Sequence, residues 1–376
     1  MVRPIHEAMS TAVAEGVFPG AVLLVETRDE IVFCEAYGHA ALFPAPDSMT
    51  RDTVFDVASL TKPLITATLT LSLIAEGRLA LDVPIARSLP SWTHGATAGV
   101  TVRHLLTHTS GLPAWRPFFR ELDPELVATP EGKARLIEAV EREPLEDPPG
   151  AVSRYSDLGF ILLGALIERT ADQPLDRVAD ERIIQPLGLG SAGYFPVGDQ
   201  ASQARIRGRK IAATESCSWR GRILRGEVHD ENAYAMGGVS GHAGLFADAE
   251  DVYRLVRAWR TSRTEGMPFG PATLAEEFLT RQQRVGNGGW ALGWTVRTEP
   301  STSGRYFSPR SFGHLGFTGT SIWVDPEADL TVVLLTNRVH PNRANEALAA
   351  FRPAIHDVIY ETVVGGSARY SSASRT

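Results

Sequence analysis

Ser59 and Lys62 stand three residues apart in Asp56-Val57-Ala58-Ser59-Leu60-Thr61-Lys62-Pro63, directly ahead of the apolar run Leu64 to Ala75. On a helix that spacing puts both side chains on one face, a turn from each other. Pro63 is tolerated in a first turn, where its missing N–H would have no intrahelical partner. The helix is therefore expected to begin at about Ser59, with the hydroxyl at the positive end of the macrodipole. A hydroxyl beside an amine in an apolar setting is a nucleophile beside a base, because a desolvated lysine can release its proton. Arginine stays protonated and cannot take that part. Only three of the 37 basic residues are lysines (Lys62, Lys133 and Lys210), and one of them falls beside this serine. The bland alternative is a serine helix cap with a lysine nearby by chance.

A nucleophilic serine also needs donors for the developing oxyanion and a group that handles protons. Pro148 to Asp157 reads as a rigid loop ahead of a helix from Leu158. In it, Tyr155 is either a phenolic acid/base or an ordinary half-buried aromatic, and Asp157 a polar orienter or helix cap. His314-Leu315-Gly316-Phe317-Thr318-Gly319-Thr320 precedes an expected strand, and its two glycines let backbone N–H groups come close to a ligand. His314 taken alone reads as structural. The glycine-dense segments 226–233 and 237–242 suggest a tight loop forming a pocket wall, where His229, Asp230 and His242 could bind substrate. Two histidines and acids without fixed helical spacing make a poor metal site. His104 and His108 stand at i, i+4, but Leu105 occupies the place of the glutamate in a zinc-binding His-Glu-x-x-His, and no third ligand is evident. His108 is read as structural, and neither a metal nor a cofactor is expected.

The elements that must hold these groups follow from periodicity. Leu64, Ala67, Leu71 and Ile74 form one stripe while Ile65, Leu69 and Leu73 fill the other side, so the helix after Ser59 is buried all round, and Gly77 ends it. Ile5 to Glu15 is an amphipathic helix. Ala21–Glu26 and Ile31–Tyr37 form a hairpin. Helical patterns then alternate with Pro- and Gly-rich loops: Val102–Thr107, Lys133–Val140, Leu158–Arg169, Pro174–Ile184 and Ala249–Trp259. Strands return at Trp290–Arg297, Thr320–Asp325 and Leu330–Asn337, and Asn342 to Val363 is a helix. The expectation is an α+β fold: one antiparallel sheet from both chain ends, flanked by helices, with a large mainly helical lobe inserted. The lobes are assigned to 1–80 with 284–364 and to 81–283, with 365–376 a frayed tail. Ser59 would lie in the cleft between them.

Composition narrows the function classes. The chain has 376 residues, 43% apolar and 22% charged, which is ordinary for a soluble globular protein. A formal charge of −7 argues against nucleic acid as partner, and the Arg-rich segment 205–225 reads as a solvated loop more readily than a binding patch. The two cysteines, Cys34 and Cys217, are expected to be free thiols. No signal peptide or membrane span is expected, so a cytoplasmic enzyme fits, its oligomeric state open.

Ser59-Leu60-Thr61-Lys62, Tyr155-Ser156-Asp157 and His314-Leu315-Gly316, in this order, resemble the three motifs of the serine β-lactamase and penicillin-binding-protein superfamily. Class C β-lactamases, D,D-peptidases and family VIII esterases are closest in style. Leu105 to Pro113, Ala243 to Phe246 and Leu334 to Arg338, which includes Asn337, also look like that family. The likeness runs from about residue 5 to 362. It implies a β-lactamase/transpeptidase-like fold and an acyl-enzyme on Ser59. Lys62 and Tyr155 would share the base role, and the N–H groups of Ser59 and Phe317 would form the oxyanion hole. Two departures bear on substrate. Asp157 stands where β-lactamases usually carry an asparagine, so an amide donor is lost, and the carboxylate could pair with Lys62 instead. His314 replaces a lysine, removing a permanent charge, and could hydrogen-bond Tyr155. Arg338 could restore a carboxylate-binding charge. The expected activity is hydrolysis of a small ester or amide: esterase first, D-amino-acid peptidase or amidase next, weak β-lactamase last. The rivals are a catalytically idle scaffold of the same fold and a metallohydrolase.

Overall fold

The structure is a computed structural model and describes residues 2–373 apart from 88, 93–94, 266–267 and 283–288. Helix α1 (Arg3–Ala14) buries Ile5, Met9 and Ala12, the stripe its periodicity demands. Strand β1 (Gly20–Thr27) pairs antiparallel with β2 (Glu30–Ala41), and a short β3 (Asp47–Ser48) pairs with β2. The β1 sequence is apolar without alternation because both of its faces are covered. Val22 and Leu24 enter the large core with Leu60 and Leu64, whereas Ala21, Leu23 and Val25 pack towards α1.

After β3 the chain enters the buried central helix: a single 3₁₀ turn (Ala58–Leu60), a π-helical turn (Lys62–Ala67), then α2 (Thr68–Ala75). Leu64, Ile65, Leu69, Leu71 and Leu73 have no solvent exposure, and burying each contributes about 1.5–3 kcal/mol. By length and composition Ala58–Ala75 is apolar enough to cross a membrane, contrary to expectation, although protein encloses most of it. Two further long helices are α3 (Asp157–Ala171) and α4 (Ala249–Glu265). Short strand pairs also lie within, or join onto, the stretch 81–283. Phe55–Asp56 and Gly193–Tyr194 flank Leu245–Ala247, and Ser216–Cys217 pairs with Arg222–Ile223. Three arginines of 205–225 are tied down rather than solvated. Arg222 bonds Glu227, Arg225 bonds Asp47, and Arg220 lies against the Tyr234 ring. Cys34 and Cys217 are free.

Strands from the far end complete the sheet: β4 (Thr295–Val296), β5 (Phe312–Leu315), β6 (Ser321–Asp325) and β7 (Leu330–Thr336). The order is β3-β2-β1-β7-β6-β5-β4, with β1 and β7 in register from Ala21↔Thr336 to Thr27↔Leu330. The antiparallel sheet is thus built from both chain ends, as expected. Two strands differ from expectation. Trp290–Arg297 shrinks to β4, because Gly293 turns with φ +83° and β4 is an edge. His314 lies inside β5 rather than ahead of a strand. That strand was hidden because Gly313 interrupts the alternation. A Cβ there would meet the Ile322 carbonyl at 2.2 Å and the Trp323 ring at 2.7 Å. Helix α5 (Leu348–Ala373) closes the chain, starting later than Asn342 and continuing into the stretch read as a tail. The boundary expected at 283/284 and residues 374–376 lie outside the described residues.

Candidate active site

Ser59 is presented by a strained turn. The buried Asp56 carboxylate accepts the Ala58 N–H at 2.8 Å and the His229 N–H at 2.6 Å. Ala58 adopts φ +48°, a left-handed conformation that costs a non-glycine residue about 1–2 kcal/mol. Thr61 holds the next turn: its hydroxyl donates to the Ala58 carbonyl at 2.6 Å and accepts the Leu245 N–H at 3.1 Å. The expected α-helix start at Ser59 is therefore replaced by a 3₁₀ turn followed by a π turn. Such bulges inside helices collect at functional sites.

The first two motifs converge on one oxygen. Lys62 Nζ donates to Ser59 Oγ at 2.9 Å and to the His242 carbonyl at 3.0 Å, and lies 2.6 Å from Asp157 Oδ1 in an ion pair. Tyr155 Oη donates to Ser59 Oγ at 2.8 Å. Lys62 is fully buried, yet the attractions of Asp157 and Tyr155 outweigh desolvation and raise its pKa. Asp157 opens α3, where the helix N-terminus favours its negative charge. Burial raises the Tyr155 pKa, with the Lys62 charge opposing. At rest the site therefore holds an ammonium, a carboxylate and a neutral phenol. Tyr155 sits in a ring of His108 (4.6 Å between centroids), Trp290 (5.7 Å) and His314 (6.2 Å). His108 accepts the Ser156 N–H, and burial keeps it neutral.

The third motif is strapped to the serine turn. The Thr318 hydroxyl donates to the Asp56 carbonyl at 2.8 Å and that of Thr320 to the Val57 carbonyl at 3.0 Å. Gly316 is required because a Cβ there would meet Thr320 Oγ1 at 2.0 Å and the Val57 carbonyl at 2.6 Å. This approach leaves the Ser59 and Phe317 N–H groups at the cleft without a hydrogen-bond partner among the described residues.

Several residues named from the sequence stand elsewhere than their expected task requires. His314 does not bond Tyr155. Its Nδ1–H donates to the Leu315 carbonyl, Nε2 is buried without a partner among the described residues, and burial pulls its pKa down to about 3. Arg338 is no free carboxylate fork. Its Nε and Nη2 donate to the Phe317 carbonyl at 3.0 and 2.7 Å, and Nη1 to the Asn345 carbonyl at 2.9 Å. It clamps the Phe317 loop. Asn337 is buried away from substrate, accepting the Gly20 N–H and donating to the His39 and Ala40 carbonyls.

These groups line one cleft of about 870 Å³. His229, Asp230 and His242 form part of its wall, as expected of that loop. His229 bonds Glu215 and stacks on Phe317, while His242 bonds Asp230, so the two histidines face different acids. Trp290, Arg343 and Arg352 also line the cleft and were not foreseen, whereas Trp115 opens a loop, Trp115 to Pro130, expected to shape it. Of those three only Trp290 had a signal, an aromatic within an expected strand, and nothing in a single sequence aims it at Tyr155.

Comparison with known proteins bears on the family and the fold. The sequence model of the beta-lactamase family matches residues 5–356. An Escherichia coli (strain K12) protein named "Putative D-alanyl-D-alanine carboxypeptidase" is 32% identical over 351 residues, 86% of this chain and 79% of that one. Among solved structures, EstCE1, described as a hydrolase with promiscuous acyltransferase activity, superposes with TM-score 0.70 at 26% identity, covering 96% of this chain and 98% of the other. An octameric penicillin-binding protein homologue from Pyrococcus abyssi superposes with TM-score 0.73 at 21% identity, covering 96% and 77%, and so shares the fold.

Proposed function

The chain belongs to the beta-lactamase family of serine hydrolases, and we propose that it hydrolyses a small ester or amide through an acyl-enzyme on Ser59. The observation that carries this is the meeting of Lys62 Nζ and Tyr155 Oη on one Ser59 Oγ, at 2.9 and 2.8 Å, in an open cleft. Catalytic pairs need hydrogen-bond reach first and a suitable pKa second. Once the Lys62–Tyr155 pair has lost one proton, Tyr155 as phenolate takes the Ser59 proton as Oγ attacks the carbonyl carbon, and then passes that proton to the departing oxygen or nitrogen. Lys62, held protonated by Asp157, stabilises negative charge on Tyr155 and Oγ during that transfer. The unpartnered N–H groups of Ser59 and Phe317 receive the oxyanion, each contributing roughly 10²–10³-fold in rate. Water then attacks the acyl carbon, its proton passing to Tyr155 and on to Ser59 Oγ as the ester bond to Oγ breaks, so that the acid leaves and Ser59 is restored.

An ester is the first substrate class. Asp157 supplies no amide donor, and His314, neutral and lacking a lysine's charge, supplies no cation for a β-lactam carboxylate. The carboxypeptidase-like relative supports D-peptide or amide cleavage as the second reading. The test is hydrolysis of para-nitrophenyl butyrate, with intact-mass detection of an adduct after a fluorophosphonate. Wild type should turn over the ester and gain one adduct, and Ser59→Ala should do neither. Equal rates for the two proteins would defeat the proposal, and an idle scaffold would take its place.

A further inference from the structure

The cleft also reaches α5, where it meets a charge that no described residue balances. Arg352 is only 7% exposed and lines the cleft with Leu348 and Ala349, one turn earlier on the same face of α5. Its guanidinium forms no hydrogen bond or ion pair with any described residue, and its Nε is wholly buried without a partner. Burial pulls Arg352 down to about 10, with Arg338 adding to the effect, so it remains charged at neutral pH. The other cations at this end are engaged. Arg338 clamps the Phe317 carbonyl, and Arg343 pairs with Glu215 and Glu231. Glu346 also lines the cleft, but it does not pair with Arg352. Trp323, from β6, lines the same cleft, and its indole N–H is buried without a hydrogen-bond partner among the described residues.

A buried charge without a counter-charge is strongly unfavourable, and the usual compensation is an opposite charge brought to it. We propose that Arg352, with the Trp323 N–H, is a carboxylate-binding subsite, so that the ester or amide opened at Ser59 carries a carboxylate at its α5 end. This rests on the reading of Ser59 as nucleophile. One planar guanidinium with one net charge matches one carboxylate through paired N–H···O bonds. The subsite recovers, on a different element, the anion recognition that His314 cannot supply.

The experiment compares matched substrates. On the acyl half, mono-para-nitrophenyl glutarate is set against para-nitrophenyl pentanoate. On the leaving half, meta-carboxyphenyl butyrate is set against meta-carbamoylphenyl butyrate. For at least one pair, wild type should prefer the carboxylate by kcat/KM. Arg352→Gln should lower that preference roughly ten- to a hundredfold, while Arg352→Lys should retain part of it. A preference unchanged in Arg352→Gln, or absent from wild type in both pairs, would overturn the subsite. Calorimetry separates this from failure of the hydrolase reading: Ser59→Ala should bind glutarate, and Ser59→Ala with Arg352→Gln should bind it at least tenfold more weakly. Equal glutarate affinities would sink the subsite even if Ser59 proves inert.

Discussion

The group that decides proton traffic in this cleft is Asp157, because it sets the state of Lys62. Desolvation alone would drive the buried ammonium towards the neutral amine, but the carboxylate 2.6 Å away reverses that and raises the lysine's pKa. Asp157→Asn removes the opposing charge and leaves burial in command. The lysine and tyrosine titrate as a pair, and the rising limb of kcat/KM against pH should then move to lower pH by roughly one to three units. The new amide can also donate to a substrate, so benzylpenicillin should acylate Ser59 faster in this variant. A limb that stays in place would mean that loss of a proton from the pair does not govern acylation. At this scale the sequence was informative where a residue type has few alternative uses, as with a lone lysine three residues after a serine. It misled on Asn337 and Arg338, both expected to bind substrate. Their flexible side chains could have faced either way, and only the fold shows them turned to carbonyls.

The elements hold the site by close backbone approaches, which periodicity does not reveal. Gly164 in α3 faces Gly241: a Cβ on Gly241 would meet the Phe160 carbonyl at 2.2 Å and the Gly164 amide nitrogen at 2.9 Å. The same loop accepts the Thr66 hydroxyl on the Gly241 carbonyl and Lys62 Nζ on the His242 carbonyl. Gly241→Ala must therefore push the loop off α3 and lengthen both bonds. Overpacking of this kind costs about 1–3 kcal/mol. A lower thermal midpoint together with slower fluorophosphonate labelling of Ser59 is the expected result, and labelling at the wild-type rate would show that the loop does not position Lys62. Apolar runs such as Leu64 to Ala75 and Leu330 to Thr336 were legible because their burial is recorded in residue type. β5 was not. A four-residue strand with a glycine inside it carries too few side chains to show a period, although it supplies His314.

Across the whole molecule, acid stability is governed by histidines buried in neutral form on both sides of the sheet. His314 lines the cleft, and His108 packs against Tyr155. His356 lies in the layer between α5 and the sheet, against Phe307, with its Nδ1–H on the Arg352 carbonyl. Burial lowers all three, His314 to about 3, His356 to about 4, and His108 well below its ordinary value. Below pH 6.5 the unfolded chain takes up protons that the folded one refuses. Each histidine then removes up to about 1.4 kcal/mol of stability per pH unit, until its folded pKa is reached. Glu215, lowered to about 2 against its own burial by His229 and Arg343, adds a further loss once the pH falls below the ordinary glutamate range. Asp56 and Glu26, whose burial raises them, act in the opposite sense and offset part of this. The thermal midpoint should therefore fall steadily from pH 6.5 towards 4. His356→Leu removes one of the three titrations at a position outside the Ser59 site, and should flatten that fall while the wild-type and variant midpoints stay close at pH 8. Parallel melting profiles for the two proteins would mean that His356 takes up its proton in the folded state, and that the layer beneath α5 admits water.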